Sequence, residues 1–233
     1  MPLLDMSFDE ASFSGEVPLF PLPQAVLLPG ALAPLHVFEP RYRALVRDAL
    51  AGDRLLGLAL LLPGYEADYE GCPPIDPTVC VGRIVLDAPL DDGRFNILVA
   101  GLRRARTLGE DRSRAYRRAH VELLPDVPLA PDRERAETAR LIAMVEGLPV
   151  ARVRHAGRLA TALQLLASEV PAALSFGAAL DLVADALELD SDERMAILRE
   201  PDVARRLAAL GRIAGEDFDP PTPAFWRAGF SRN

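Results

Sequence analysis

The apolar positions of this chain change their spacing once, near Pro125–Pro131. Before that point they come in short runs broken by Pro and Gly; after it they recur three and four residues apart. Short or alternating apolar runs signal strands, whereas the i, i+3, i+4, i+7 recurrence marks a helix face turned to a core. The pattern therefore predicts an α+β chain, strand-rich over residues 15–125 and helical over 131–215, with a Pro-rich aromatic tail over 216–233.

In the first part, Val17 to Leu22 carries two prolines, which fits an edge strand rather than a central one. Leu28-Pro29-Gly30-Ala31 has the chemistry of a type II turn, and Leu35 to Phe38 continues as a strand. Glu39-Pro40 marks a helix entry; Tyr42, Leu45, Val46 and Ala49 form its apolar stripe, and Gly52 closes it. Leu55 to Leu62 reads as a buried strand, followed by a loop with Tyr65, Tyr69, Gly71 and three prolines. Cys80 to Leu86 and Phe95 to Ala100 flank a hairpin turn at Asp91-Asp92-Gly93, and Leu102 to Leu108 and Ala119 to Leu124 complete the set. Closely spaced strands with one inserted helix suggest a small barrel or curled sheet, a closure that also removes sticky edges.

In the second part, Leu141, Met144, Val145 and Leu148 share a stripe behind a predicted Asp132 N-cap. Leu159, Ala162, Leu163, Leu166, Ala167 and Val170 form the next stripe, interrupted by Pro171. Phe176, Ala179, Leu180, Val183 and Leu187 form another. Ser191 is the predicted cap of a helix through Met195 and Leu198, and Val203, Leu207, Leu210 and Ala214 make the last. Amphipathic helices joined by short connections predict a bundle.

Composition narrows the chemistry. All 26 basic residues of the 233-residue chain are Arg, so no P-loop lysine, Schiff-base lysine or Ser-Lys dyad can be built from it. The N-terminal stretch is acidic until Arg41 and no apolar run approaches a membrane span, which predicts a cytoplasmic protein with no membrane partner. Cys72 and Cys80 are the only cysteines, too few for a disulfide scaffold, though a single bridge between them stays open.

No catalytic constellation emerges. His36, His120 and His155 lie far apart without zinc-ligand spacing, so no metal or other cofactor is expected, and His36 reads as a hydrogen-bonded structural residue. Asp91-Asp92 and Asp190/Asp192 fall at a turn and a helix start, where local geometry accounts for them. Two candidate binding surfaces remain. One is aromatic: Tyr65 and Tyr69 in the loop, with Phe225, Trp226 and Phe230 in the tail, which either grip apolar polypeptide or dock on the chain's own helices. The other is basic: Arg103, Arg104, Arg106, Arg117 and Arg118, joined by Arg112 and Arg114. Arg forks suit phosphates, which leaves an RNA-binding alternative. Against it stand the net charge of −8 and the simpler reading of ion pairs to acids such as Asp181, Asp185 and Glu188.

One run carries a family likeness. Pro18-Leu19-Phe20-Pro21-Leu22-Pro23, Val26-Leu27-Leu28-Pro29-Gly30 and Pro34-Leu35-His36-Val37-Phe38-Glu39-Pro40-Arg41-Tyr42-Arg43 closely resemble the N-terminal domain of Lon-type ATP-dependent proteases. Val81-Gly82-Arg83-Ile84, Asp92-Gly93-Arg94-Phe95-Asn96-Ile97 and Gly101-Leu102-Arg103-Arg104 extend the resemblance, as do Phe176 to Leu210. It implies a PUA-like barrel followed by a helical bundle, and a non-catalytic module that captures unfolded or apolar polypeptide or serves as an adaptor. The chain stops at Asn233 and lacks Lys, so the expectation is a standalone domain without ATPase or protease parts. Within the motif, Phe38 and Tyr42 are expected to pack under the barrel, and Glu39 to pair with Arg41 or Arg43.

Overall fold

The structure, a computed structural model, describes residues 6–167 and 174–215. It divides into two compact units, residues 1–125 and residues 126–233.

The first unit holds β1 (Glu16–Leu22), β2 (Leu32–Val37), α1 (Pro40–Ala51), β3 (Leu55–Leu60), a single 3-10 turn (Tyr65–Asp68), β4 (Thr78–Pro89), β5 (Phe95–Asp111) and β6 (Arg118–Leu123). Its strands follow the order β2-β5-β4-β3-β1-β6, and a further β5–β6 pairing closes all but β2 into a ring. Only β1 and β3 run parallel; Leu19 lies opposite Gly57 and Leu22 opposite Leu60. The ring interior is filled by Val17, Leu19, Leu55, Ala59, Val79, Val81, Leu102, Ala105, Ala119 and Val121. Small residues dominate because a narrow ring leaves little room: a Cβ on Gly57 would stand 3.1 Å from Leu19 and 3.2 Å from Val17.

The two prolines of β1 do not make it an edge. It lies between β3 and β6, pairing with β6 over Glu16–Pro18 and with β3 over Leu19–Leu22. Leu19 donates its amide to the Arg117 carbonyl on the β6 side, so by alternation Pro21 also turns its nitrogen that way, beyond the last β6 pair at Pro18. Pro18 turns the other way, just before β3 pairing starts. Each missing donor thus falls where no ladder bond was due. The sheet edge is β2, and Pro34 is its proline.

The two strands predicted on either side of Gly101 are one continuous strand, β5. It pairs with β2 over Phe95–Ala100 and with β6 over Ala105–Asp111, so Gly101 sits where the partner changes. The Leu28–Ala31 turn presses on it there. Gly30 donates to the Gly101 carbonyl and Gly101 to the Ala31 carbonyl, and a Cβ on Gly101 would lie 2.2 Å from the Leu28 oxygen. The turn itself closes as predicted, with Gly30 at φ 79° and Ala31 donating to Leu28.

Helix α1 buries Tyr42, Leu45, Val46 and Ala49, the stripe read from the sequence, and Tyr42 packs on Phe20 of β1 with ring centroids 4.5 Å apart and planes tilted by 32°. Phe38 does not join it. That side chain is 58% exposed, because it follows His36 on the outer face of β2.

The second unit contains α2 (Pro131–Glu146), α3 (Ala156–Ala167), α4 (Phe176–Ala186), α5 (Ser191–Leu198) and α6 (Val203–Ala214). Helix α4 touches the other four and is its centre, with Phe176, Ala179, Leu180 and Val183 buried. Two predicted caps shift by a residue or two. Ala130 precedes Pro131 at the start of α2, leaving Asp132 in the first turn. Asp190, not Ser191, caps α5: it accepts from the Glu193 amide at 2.8 Å, and Glu193 accepts from the Asp190 amide at 2.9 Å. Val170 and Pro171 of the predicted α3 stripe, and the Ala167 side chain, lie outside the described residues.

The acids assigned to the arginine hairpin are occupied within the helices. Asp181 pairs with Arg206 at 3.2 Å, and Asp185 pairs with Arg158 at 2.6 Å and Arg194 at 3.1 Å. Arg206 is wholly buried and also pairs with Asp126.

Candidate functional site

Tyr65 and Tyr69 bracket the 3-10 turn of the loop after β3, half-buried, with ring centroids 6.0 Å apart and planes tilted by 60°. Tyr69 is anchored. Its hydroxyl donates to Glu39 Oε1 at 2.7 Å, and Arg41 Nε donates to Glu39 Oε2 at 2.9 Å. Arg41 Nη1 donates to the Tyr69 carbonyl at 3.0 Å, and its guanidinium lies over the rings of Tyr42 and Tyr69 at 4.7 and 5.0 Å. The expected Glu39–Arg41 pair therefore exists and ties the loop to the start of α1.

These contacts set the ionisation of the group. Burial pushes the Tyr42 phenol up to about 12, with nearby Arg41 opposing. Tyr69 is also raised, first by burial and then by donating to the Glu39 carboxylate, which favours the neutral phenol. Arg41 is raised as well: burial opposes its charge, and Tyr42 and Glu39 outweigh it. The tail aromatics Phe225, Trp226 and Phe230 lie outside the described residues.

The arginines of β5 and β6 do not form one strip. Arg103 pairs with Glu10 at 2.7 Å, Arg118 with Glu16 at 2.7 Å, and Arg117 with Glu110 at 2.6 Å. Arg117 also donates to the Pro73 carbonyl at 2.7 Å, and Arg104 is 3% exposed. Arg106 alone of the five is exposed on its strand without a described ion pair. The carboxylates paired with Arg103, Arg117 and Arg118 come from the N-terminal segment, the end of β5 and β1.

Between the start of α1, the loop at Gly71–Cys72 and the β5–β6 connection lies a cleft of about 290 Å3. Arg41 and Tyr42 face it from α1, and Arg112, Arg114, Tyr116 and Arg117 from the connection.

A surface that the sequence reading missed lies on the outer face of β2, β5 and β4. Pro34, Leu98 and Leu86 form one cross-strand row, and His36, Asn96 and Ala88 the next. A register shift between Ile84 and Leu86 lets Leu86 turn outward while Ile84 stays in the core. Leu86 is 52% exposed, and the Phe38 ring stacks beside His36 with centroids 6.2 Å apart. His36 is held as expected, its Nδ1 2.7 Å from Asn96 Oδ1, while Arg94 Nη1 lies 3.1 Å from its Nε2. The one signal in the sequence was Pro34, whose missing donor suits a free edge. Since Gly101 donates to the Ala31 carbonyl, alternation turns the amides and carbonyls of Leu32 and His36, and the Pro34 carbonyl, away from β5.

This α+β domain therefore presents, among the described residues, an apolar row, an outer β2 edge without a strand partner and an arginine-lined cleft. The model of the family described as the ATP-dependent protease La (LON) substrate-binding domain matches residues 16–214. The chain belongs to that family. Lon protease of Desulfosudis oleivorans is 24% identical over 196 residues, which cover 84% of this chain and 23% of that protein. Lon protease 2 of Myxococcus xanthus is 25% identical over 82% of this chain and 22% of its own length. This chain thus spans under a quarter of the curated relatives it matches. Among solved structures, a Lon N-terminal domain protein from Xanthomonas campestris is 28% identical with a TM-score of 0.56, covering 84% of this chain and 96% of that one. The N-terminal domain of a Mycobacterium avium complex Lon protease shares the fold, at 19% identity and a TM-score of 0.62 over 87% of this chain and 99% of that one. Among the described residues no helix is long and apolar enough to cross a membrane, and no group of three or more His, Cys, Asp or Glu could hold a metal ion.

Proposed function

We propose that this domain is a non-catalytic module that recognises polypeptide segments in an extended, apolar-containing state, as a substrate-capture or adaptor element. The observation that carries the reading is the cross-strand row of exposed Leu86, half-buried Leu98 and exposed Pro34, with exposed Phe38, beside a β2 edge that has no strand partner among the described residues. An extended segment adding to that edge would meet the backbone groups of Leu32 and His36 and the Pro34 carbonyl, and would lay alternate side chains on the apolar row. Membership of a substrate-binding family supports the same reading. Tyr65 and Tyr69 belong to it as a second apolar ledge, Tyr69 being anchored to Glu39.

The test is fluorescence anisotropy of the full chain with a labelled, permanently unfolded polypeptide, against its folded parent. Binding selective for the unfolded chain is expected, and Phe38→Ser/Leu86→Ser should weaken it about tenfold or more, given roughly 1.5–3 kcal/mol for a fully buried large apolar side chain. Equal binding of both probes, or no effect of the substitutions, overturns the assigned surface. RNA retention that depends on Arg103 and Arg106 would move the function to phosphate binding.

A further inference from the structure

The cleft between α1 and the β5–β6 connection has a lining unlike the rest of the strand-rich unit. Four guanidinium groups face it, from Arg41, Arg112, Arg114 and Arg117, against one carboxylate, Glu70. The four are not equivalent. Arg41 and Arg117 are low in exposure and ion-paired, to Glu39 at 2.9 Å and Glu110 at 2.6 Å, so they are fixed walls. Arg114 uses Nη1 for Asp48 at 2.8 Å and keeps its other donors. Arg112 is the open one: its Nε is 3.9 Å from Glu110 Oε2, beyond hydrogen-bond distance, and its side chain is 62% exposed. Tyr116 is fixed beneath them, its hydroxyl donating to Asp48 Oδ2 at 2.5 Å, and the Tyr42 ring lies alongside Arg41.

We infer that this cleft binds a carboxylate side chain of a captured polypeptide, with the apolar part of that segment against Tyr116 and the Arg112 and Arg114 guanidiniums on the acid. The planar fork of Arg matches a carboxylate with two parallel hydrogen bonds, which a lysine could not supply. About 290 Å3 is at the small end for ligand pockets, enough for one or two side chains and too short to follow a nucleic-acid strand. The neighbouring Arg103 and Arg118, paired with Glu10 and Glu16, offer no continuing track for phosphates. The inference rests on the polypeptide-binding reading and adds to it a substrate preference: segments in which an acid flanks an apolar residue.

The experiment uses two fluorescein-labelled peptides in a Gly-Ser frame, one with Glu-Phe-Glu at its centre and one with Gln-Phe-Gln. The acidic peptide should bind about tenfold tighter at low salt, from charge-assisted hydrogen bonds. Arg112→Gln/Arg114→Gln should abolish the preference and leave the Gln peptide unchanged. Arg112→Gln alone, which keeps the Arg114–Asp48 pair, should remove a large part of it. Arg135→Gln/Arg140→Gln, on the exposed face of α2, removes the same charge elsewhere and should change nothing. Equal affinity for both peptides, or an equal loss in the α2 control, overturns the carboxylate site while leaving polypeptide binding intact. Failure of both peptides to bind overturns it together with the reading beneath it. Displacement of the acidic peptide by a short RNA, lost in Arg112→Gln/Arg114→Gln, would make the cleft a phosphate site and also overturn it.

Discussion

Arg206 and Asp181 meet at 3.2 Å with side chains 0% and 1% exposed, one from α6 and one from α4. Asp126 closes the other side of the guanidinium, and the Gly177, Glu200 and Pro201 carbonyls accept its remaining N–H groups. A buried charge is tolerable only when its pairing is this complete. Arg206→Met should therefore cost about 3–5 kcal/mol in the full chain's urea unfolding, because it removes the cation that faces the buried Asp181 carboxylate. Adding Asp181→Leu should recover more than half of that loss. No recovery in the double variant would mean that shape, not charge pairing, sets the cost.

Gly101 offers a backbone test. With the Leu28 carbonyl 2.2 Å from its missing Cβ, Gly101→Ala should destabilise the strand-rich unit by about 1–3 kcal/mol or more. Gly109, on the same strand, has nothing within 4 Å of that position, and Gly109→Ala should stay within about 0.5 kcal/mol. The comparison is read from parallel denaturant curves.

Tyr42 sets an alkaline limit. Its phenol is raised from 10.0 to about 12 by burial, so the neutral form is the one the fold favours. The associated stability is complete below pH 10 and is lost as pH rises through about 12. Phenolate absorbance should show Tyr42 ionising near the top of that window, together with unfolding. In Tyr42→Phe this contribution to the alkaline loss should disappear.

The thiols should differ in reach. Cys80 is 0% exposed and Cys72 half-buried, and both are free rather than bridged. An aromatic disulfide reagent should titrate one thiol in the folded protein and two after denaturation. Two fast thiols in the native state would contradict the burial of Cys80.

Local patterns were the part of the fold that the sequence displayed. The α1 stripe and the Gly30 and Gly93 turns depend on neighbouring residues alone, and all three stand where their spacing placed them. What depended on partners was hidden. Pro18 and Pro21 argue for an edge until one knows that β1 changes partner between them, and Gly101 argues for a break until one sees the turn that needs it. The same holds for the candidate sites. Arg-rich spacing cannot say which acids are near, so Asp181 and Asp185 were assigned to a hairpin whose arginines pair with Glu10, Glu16 and Glu110. Phe38, read as core by its neighbours in the motif, turns outward because strand alternation puts it on the face of His36.

The ring joins the two ends of its own stretch of chain, Glu16 opposite His120 and Val17 opposite Ala119. During synthesis β1 leaves the ribosome first and waits more than a hundred residues for β6, its partner along one side. The parallel β1–β3 pair and the antiparallel β3–β4–β5 run can assemble earlier, but closure comes with the last strand. Such distant pairing is slow to find, so the nascent barrel passes through an open stage in which its small-residue interior is accessible to other chains.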